Sequence, residues 1–306
     1  MTQTTPTSET AAPRETPGSP RPASFVVVRA AVAPMHTEPR VSSPQTSQAL
    51  AGHVLLVREE RGDWLHVAGV DAYRGWMHRG YVTYVPRAEE MEAHDVRVRW
   101  EAAPDRLPWM EGVDWVIRGV SNDLATRVSL GCRARCVGGP AIAFPLGALV
   151  PDECELVEGR AAPRDELPRL FPPDDAAAIA RTAVEHFAGT SYQWGGVTPW
   201  GADCSGLVQS TFQLHGRTLP RDAWQQALLG ADAGGDPTAL RPADLLFFSD
   251  RADRRVTHVG ISLGGPRMVH LALGRGGHAV ERLDDAGDPY VAKLLERFTG
   301  ARRVIG

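Results

Sequence analysis

One stretch of the chain sets reactive side chains in an order that chemistry can use. Residues 201–216 read GADCSGLVQSTFQLHG, with Cys204 between Asp203 and Ser205 and just ahead of Leu207, Val208 and Phe212 at helical spacing. The spacing predicts a helix that starts at or beside Cys204 and stops at Gly216 in the left-handed conformation glycine favours. A helix start offers unpaired N–H groups and a partial positive charge, and both favour a thiolate. Free cysteine titrates near ~8.5, and such positions bring it to roughly 3.5–7.5. Cys204 is therefore expected to be a nucleophile with a lowered pKa, and a cysteine nucleophile needs a base. His258 in VTHVGISLG and His270 in RMVHLALG flank the turn signal GGP. A turn centred on Gly264 sets the two imidazoles directly opposite each other on one hairpin face, with Cβ atoms about 4.5–5.5 Å apart. One ring would take the thiol proton and the other would fix its tautomer.

The elements that must position these three residues lie late in the chain. Asp174 or Asp175 can cap a helix running to about Phe187, where Ile179, Ala183 and Phe187 recur at helical spacing. A glycine-rich loop leads to the Cys204 helix, LRPADLLFF, VTHVGISLG and RMVHLALG read as strands, PYVAKLLERF as a late helix and ARRVI as a closing strand. Helices followed by an antiparallel sheet make residues 173–306 an α+β domain. Upstream, SFVVVRAAVA, HVLLVREERGDWLHVAG and YRGWMHRGYVTYV are short strands with frequent turn signals. That pattern predicts a small β-barrel over 24–86. A fainter repeat of the same rhythm, with a hairpin signal at Gly138 and Gly139, predicts a second barrel over 87–157. The charged, proline-rich residues 158–172 read as a linker. Residues 1–23 are rich in Thr, Pro, Ser and Ala and read as a disordered lead.

Composition narrows the function classes. A formal net charge of -4 argues against a nucleic-acid binder, whose mark is a basic excess. No run is long and apolar enough for a membrane span. The first residues lack the basic start and apolar core of a secretory signal, so a cytoplasmic location is expected. Four cysteines, Cys132, Cys136, Cys154 and Cys204, are too few for a disulfide scaffold at 306 residues. Cys132 and Cys136 lack the zinc pattern and are expected to be idle thiols. No metal and no organic cofactor is called for.

Taken together, YQWGG, GADCSGLVQSTFQLHG, LPRDAWQQ, ADLLFF, THVGISLG and MVHLA, in that order, resemble the NlpC-type cell-wall cysteine peptidases over about 173–306. The resemblance implies a papain-like fold with Cys204 as nucleophile, His258 as general base and His270 as the orienting third member. Both barrels resemble bacterial SH3-like domains, the first most clearly, and the whole layout resembles γ-D-glutamyl-L-diamino-acid endopeptidases of murein recycling. That resemblance implies a murein-derived peptide as substrate, cut after D-glutamate, with a free N-terminal alanine. The free α-carboxylate of a γ-linked D-glutamate needs a cation or donors: Arg221 is the best cation, with Ser205 and Tyr192 as hydroxyl donors. The alanine amine needs a carboxylate, Asp203 or Asp222. The resemblance favours Asp203, aided by Tyr73 from the first barrel, with Trp194 as a pocket wall. Two departures stand out. SSPQTSQAL carries no acid where relatives often do, and Ala223 follows the Arg221–Asp222 pair where relatives often have a hydroxyl. The alternatives are a secreted hydrolase acting on intact peptidoglycan and an inactive murein-peptide binding protein.

Overall fold

The computed structural model describes residues 24–85, 96–102, 115–122, 126–136, 138–285 and 287–306. The expected disordered lead, residues 1–23, lies outside them.

The first unit is one hydrogen-bonded run of seven short strands. They are β1 (Ser24–Val28), β2 (Val32–His36), β3 (Gln45–Leu50), β4 (Val54–Arg61), β5 (Trp64–Ala68), β6 (Arg74–His78) and β7 (Val82–Val85), in spatial order β3-β2-β6-β5-β4-β1-β7. Alternation builds its core, with Val26, Val28, Leu65, Val67 and Met77 all buried. The tight turn between β4 and β5 falls at Gly62, whose φ of 57° suits glycine.

Part of the barrel expected over 87–157 lies outside the described residues. Among the described residues, strands β8 (Val96–Ala102) and β9 (Trp115–Asn122) pair only with each other, while β10 (Thr126–Arg135), β11 (Ala141–Phe144), β12 (Leu149–Pro151) and β13 (Glu155–Pro163) form a separate sheet. The Gly138–Gly139 turn does join β10 to β11, with Arg135 opposite Ala141. The supposed linker at 158–172 is regular structure. β13 runs through its first half and pairs along β10, and a short helix α1 (Leu167–Leu170) follows. Pro163 sits at the end of the strand and Pro168 in the first turn of the helix, where a missing N–H costs little. Cys136 and Cys154 are not idle. They form a disulfide across a separation of 18 residues, and Cys132 is a buried free thiol.

The third unit positions the reactive residues. Helix α2 (Ala176–His186) is capped by Asp175, whose carboxylate accepts from the Ala178 N–H at 2.9 Å. A small ribbon, β14 (Val197–Thr198) and β15 (Gly201–Ala202), leads into α3 (Cys204–Leu214) and the short α4 (Ala223–Gln226). The strands β16 (Ala231–Asp232), β17 (Leu245–Phe248), β18 (His258–Gly264), β19 (Arg267–Ala272), β20 (Gly277–Arg282) and β21 (Phe298–Arg303), with α5 (Pro289–Glu296) before the last, form one antiparallel sheet in order β16-β21-β17-β18-β19-β20. Leu207, Val208 and Phe212 of α3 are fully buried with Ile179, Ala183 and Phe187 of α2 and with Val259, Ile261, Val269 and Leu271 of the sheet. Leu246, Phe248 and Met268 pack with Val291 and Leu294 of α5 in a second core. The sheet is thus covered on both faces, which is why β19 is buried at every position from Met268 to Ala272. Among the described residues no helix is long and apolar enough to cross a membrane.

Candidate active site

Cys204 is the first residue of α3, and Asp203 is its N-cap. The Asp203 carboxylate accepts from the Gly206 N–H at 2.8 Å and from the Gly195 N–H at 2.8 Å. The GG loop lies hard against the helix start: a Cβ at Gly206 would meet the Gly196 carbonyl oxygen at 2.1 Å. Only glycine allows that approach, and Gly196 in turn lies against the Gly201 carbonyl oxygen, which a Cβ there would meet at 2.2 Å.

Arg221 completes this knot. Its guanidinium donates to both carboxylate oxygens of Asp203 at 2.9 and 2.7 Å, to Ser205 Oγ at 2.9 Å, to the Gly196 carbonyl at 3.3 Å and to Ser47 Oγ of the barrel at 3.2 Å. The side chain is 1% exposed. All five donors are spent, so Arg221 is not the cation expected to receive a substrate carboxylate. Asp203, 5% exposed and saturated by the same contacts, is likewise not available to an incoming amine. Ser205 gives its hydroxyl proton to Asp203 at 3.2 Å. These three residues hold the nucleophile's helix in place.

Burial pushes the Cys204 thiol up to about 12, and the Asp203 carboxylate adds to the shift. The backbone N–H groups of Val259 and Ser205 point to the sulfur and pull the other way, as does Arg221. The lowered resting pKa expected from the helix start is not met, because desolvation outweighs the N–H groups. Burial lowers His258 to about 3, with the charges of His270 and Arg297 adding to it. Both shifts favour the uncharged forms of thiol and imidazole.

His258 Nε2 and His270 Nδ1 lie 2.8 Å apart. The two residues are not directly opposed. Ile261 pairs with Val269, which displaces the hairpin register by two residues from a turn centred on Gly264. The turn sits at Gly264 and Gly265, both at positive φ, with a bulge beside it. A displacement of two keeps both imidazoles on one face, and diagonal neighbours remain within reach of ring side chains. His270 is fully buried and continues to Glu281 on β20, with Nε2 to Oε1 at 3.3 Å. Glu281 in turn accepts two bonds from Arg275 at 2.8 and 2.9 Å. Neither β20 nor Glu281 was legible in the sequence, since GGHAVERLDD is polar and glycine-rich.

Cys204 and His258 line one cleft with Tyr192, Trp194, Asp222, Tyr73 and Thr46. Tyr192 stands beside the thiol; burial, then the neighbouring Cys204, raises its hydroxyl pKa. Trp194 is 64% exposed at the rim, and its carbonyl accepts from Gln45 of the barrel. Asp222 is partly buried, with its pKa raised by desolvation and opposed by Arg221 and by bonds from Trp224 and Tyr73. Tyr73, pushed up to about 12 by burial and by Asp222, brings the barrel to this end of the cleft. Thr46, from the acid-free run, stands there too. The barrel is docked by Gln209 Nε2 to Asp71 at 2.7 Å and by the Val197 N–H to Gln48 at 3.1 Å. Among the described residues no group of three or more His, Cys, Asp or Glu side chains gathers as a metal site requires.

A buried cysteine at a helix start, sharing one cleft with a histidine relay on an antiparallel sheet, defines a papain-like cysteine enzyme behind SH3-like β structure. Residues 189–294 match the model of the NlpC/P60 family, and residues 31–83 match that of the bacterial SH3 domain. The chain is 33% identical over 145 residues to Murein DD-endopeptidase MepS/Murein LD-carboxypeptidase of Escherichia coli strain K12, covering 47% of this chain and 71% of that protein. It is 40% identical over 85 residues to Gamma-D-glutamyl-L-lysine dipeptidyl-peptidase of Bacillus subtilis, a match that spans only 28% of each chain. A crystal structure of an NlpC/P60 family protein from Bacillus cereus shares the fold, with a TM-score of 0.65 at 18% identity over 92% of this chain and all of that one. The chain belongs to the NlpC/P60 family.

Proposed function

We propose that the protein is a cysteine peptidase that hydrolyses the bond between the γ-carboxyl of D-glutamate and a diamino acid in murein peptides that carry a free N-terminal L-alanine. The carrying observation is the cleft itself: Cys204 and His258 share it with Asp222, Tyr73 and Thr46, so the barrel bounds one end with an acid beside it. In this reading the Cys204 proton passes to the free Nδ1 of His258 as Sγ bonds to the γ-carbonyl carbon. The N–H groups of the α3 start and Tyr192 face the developing oxyanion. His258 then returns the proton to the departing amine as the C–N bond breaks. Water, deprotonated by His258, hydrolyses the thioester. Asp222 replaces Asp203 as the partner of the alanine amine, because Asp203 is already saturated. Lys293 and Arg297 line the cleft as well, and the charge of Arg297 acts on His258. They support a leaving residue that bears carboxylates, diaminopimelate over lysine.

The test is mass spectrometry of L-Ala-γ-D-Glu-meso-diaminopimelate after incubation, with its N-acetyl and third-residue lysine forms in parallel. Release of the diamino acid is expected, abolished by Cys204→Ala and slowed for both altered peptides. Asp222→Asn should raise KM for the free-amine peptide at least about tenfold, since a charge-assisted contact is worth roughly 1.5–3 kcal/mol. Equal cleavage of the acetylated peptide would remove the amine requirement.

One observation favours a second reading. The Cys136–Cys154 disulfide belongs in an oxidising compartment. That supports action outside the cytoplasm on wall peptides, in place of the cytoplasmic location expected from the first residues. Soluble fragments released from intact sacculi would favour it.

A further inference from the structure

We infer that Glu281, clamped by Arg275, is a positioning residue that sets the proton order of the His270–His258 relay, so that the lone pair of His258 faces the Cys204 thiol. The inference rests on the peptidase reading for its kinetic arm only.

The geometry begins with the sheet. Val269 pairs with Ile261 on one side and with Val280 on the other. With a side-chain period of two, His258, His270 and Glu281 fall on one face, each stepped along from its neighbour. Three adjacent strands thus supply one residue each to a diagonal line that ends at the cleft.

With one hydrogen on each ring, the line has only one consistent order. Glu281 is 5% exposed and takes two N–H bonds from Arg275, which also pairs with Asp288 and lies over the Tyr290 ring at 4.2 Å. Those bonds, with that from His270, hold its carboxyl down at about 2 against the opposing effect of burial. A carboxylate only accepts. His270 Nε2 must therefore carry the hydrogen toward Glu281, which leaves Nδ1 of the neutral ring as an acceptor. His258 Nε2, 2.8 Å away, must then donate. The remaining nitrogen, Nδ1 of His258, is left unprotonated and free to take the thiol proton. Reversing the order puts a hydrogen on that nitrogen and blocks the transfer. The other charged or titratable groups that act on the line are Arg297 and Cys204 at the His258 end and Tyr290 and His278 at the His270 end.

Glutamine at 281 keeps the shape but can donate through its amide, which makes the reversed order available. Glu281→Gln and Glu281→Asp are made in the full chain, with melting temperature and circular dichroism as fold controls. Three readouts follow. Nitrogen-15 NMR of the imidazoles should show hydrogens on Nε2 of both rings in the wild type and a shift toward Nδ1 in Glu281→Gln. The rate of Cys204 alkylation by iodoacetamide, read at the Cys204 peptide, should fall at least about tenfold, in the range that removal of an orienting partner costs. The kcat should fall similarly with KM held within about twofold, and Glu281→Asp should recover part of both rates. Unchanged imidazole tautomers in Glu281→Gln, or an unchanged alkylation rate, would overturn the inference, whatever kcat does. The NMR and alkylation arms need no substrate. A wild type that cleaves no murein peptide would sink the functional reading and leave this one standing or falling on its own data.

Discussion

Replacing Arg221 with leucine separates a structural arginine from one that binds substrate. The substitution removes five hydrogen bonds at one stroke, two of them to Asp203 and one to Ser47 of the barrel. It leaves the Asp203 carboxylate buried with the Gly206 and Gly195 N–H groups and the Ser205 hydroxyl as its remaining partners. Breaking one side of a buried ion pair costs about 3–5 kcal/mol. For a unit of this size each kcal/mol lowers the melting temperature by about 2–4 °C. Arg221→Leu should therefore melt roughly 6–20 °C below the wild type. The double variant Asp203→Asn, Arg221→Leu removes the stranded charge and keeps a good N-cap. It should recover about 1–3 kcal/mol against the sum of the two single changes. Urea unfolding followed by circular dichroism measures all four proteins. A variant as stable as the wild type, with KM raised tenfold or more, would refute this reasoning and return Arg221 to the substrate's carboxylate.

Two further outcomes follow from buried groups away from the cleft. His53, partly buried where the barrel meets the second sheet, is lowered from 6.5 to about 4 by desolvation, against a bond to the Gly147 carbonyl. The unfolded chain therefore binds a proton that the folded chain refuses. Stability should drop by roughly 3 kcal/mol as pH falls from 6.5 through about 4, and His53→Gln should flatten that slope in urea titrations taken at several pH values. Cys136→Ser or reduction opens a loop of 18 residues, and unfolding should become easier by about 3 kcal/mol. Wild-type stability under a reducing agent that demonstrably cleaves the bond would refute it.

Local chemistry was legible in the chain itself. Asp203, Cys204 and the apolar residues behind them announced a capped helix with a thiol at its start, because capping and helical periodicity are short-range effects. The two histidines announced a hairpin face, and alternation kept them on one side even though the register moved by two. What the sequence alone could not decide was where charges end. Arg221 looks the same whether it meets a substrate or Asp203, and the difference depends on a loop and a barrel strand brought in from as far as 174 residues away. Desolvation is likewise a property of the packed site, so the Cys204 pKa moved opposite to the helix-start expectation. Glu281 became visible only once β20 lay beside β19, because a polar strand at a sheet edge carries no apolar signal and gains its role from its neighbours.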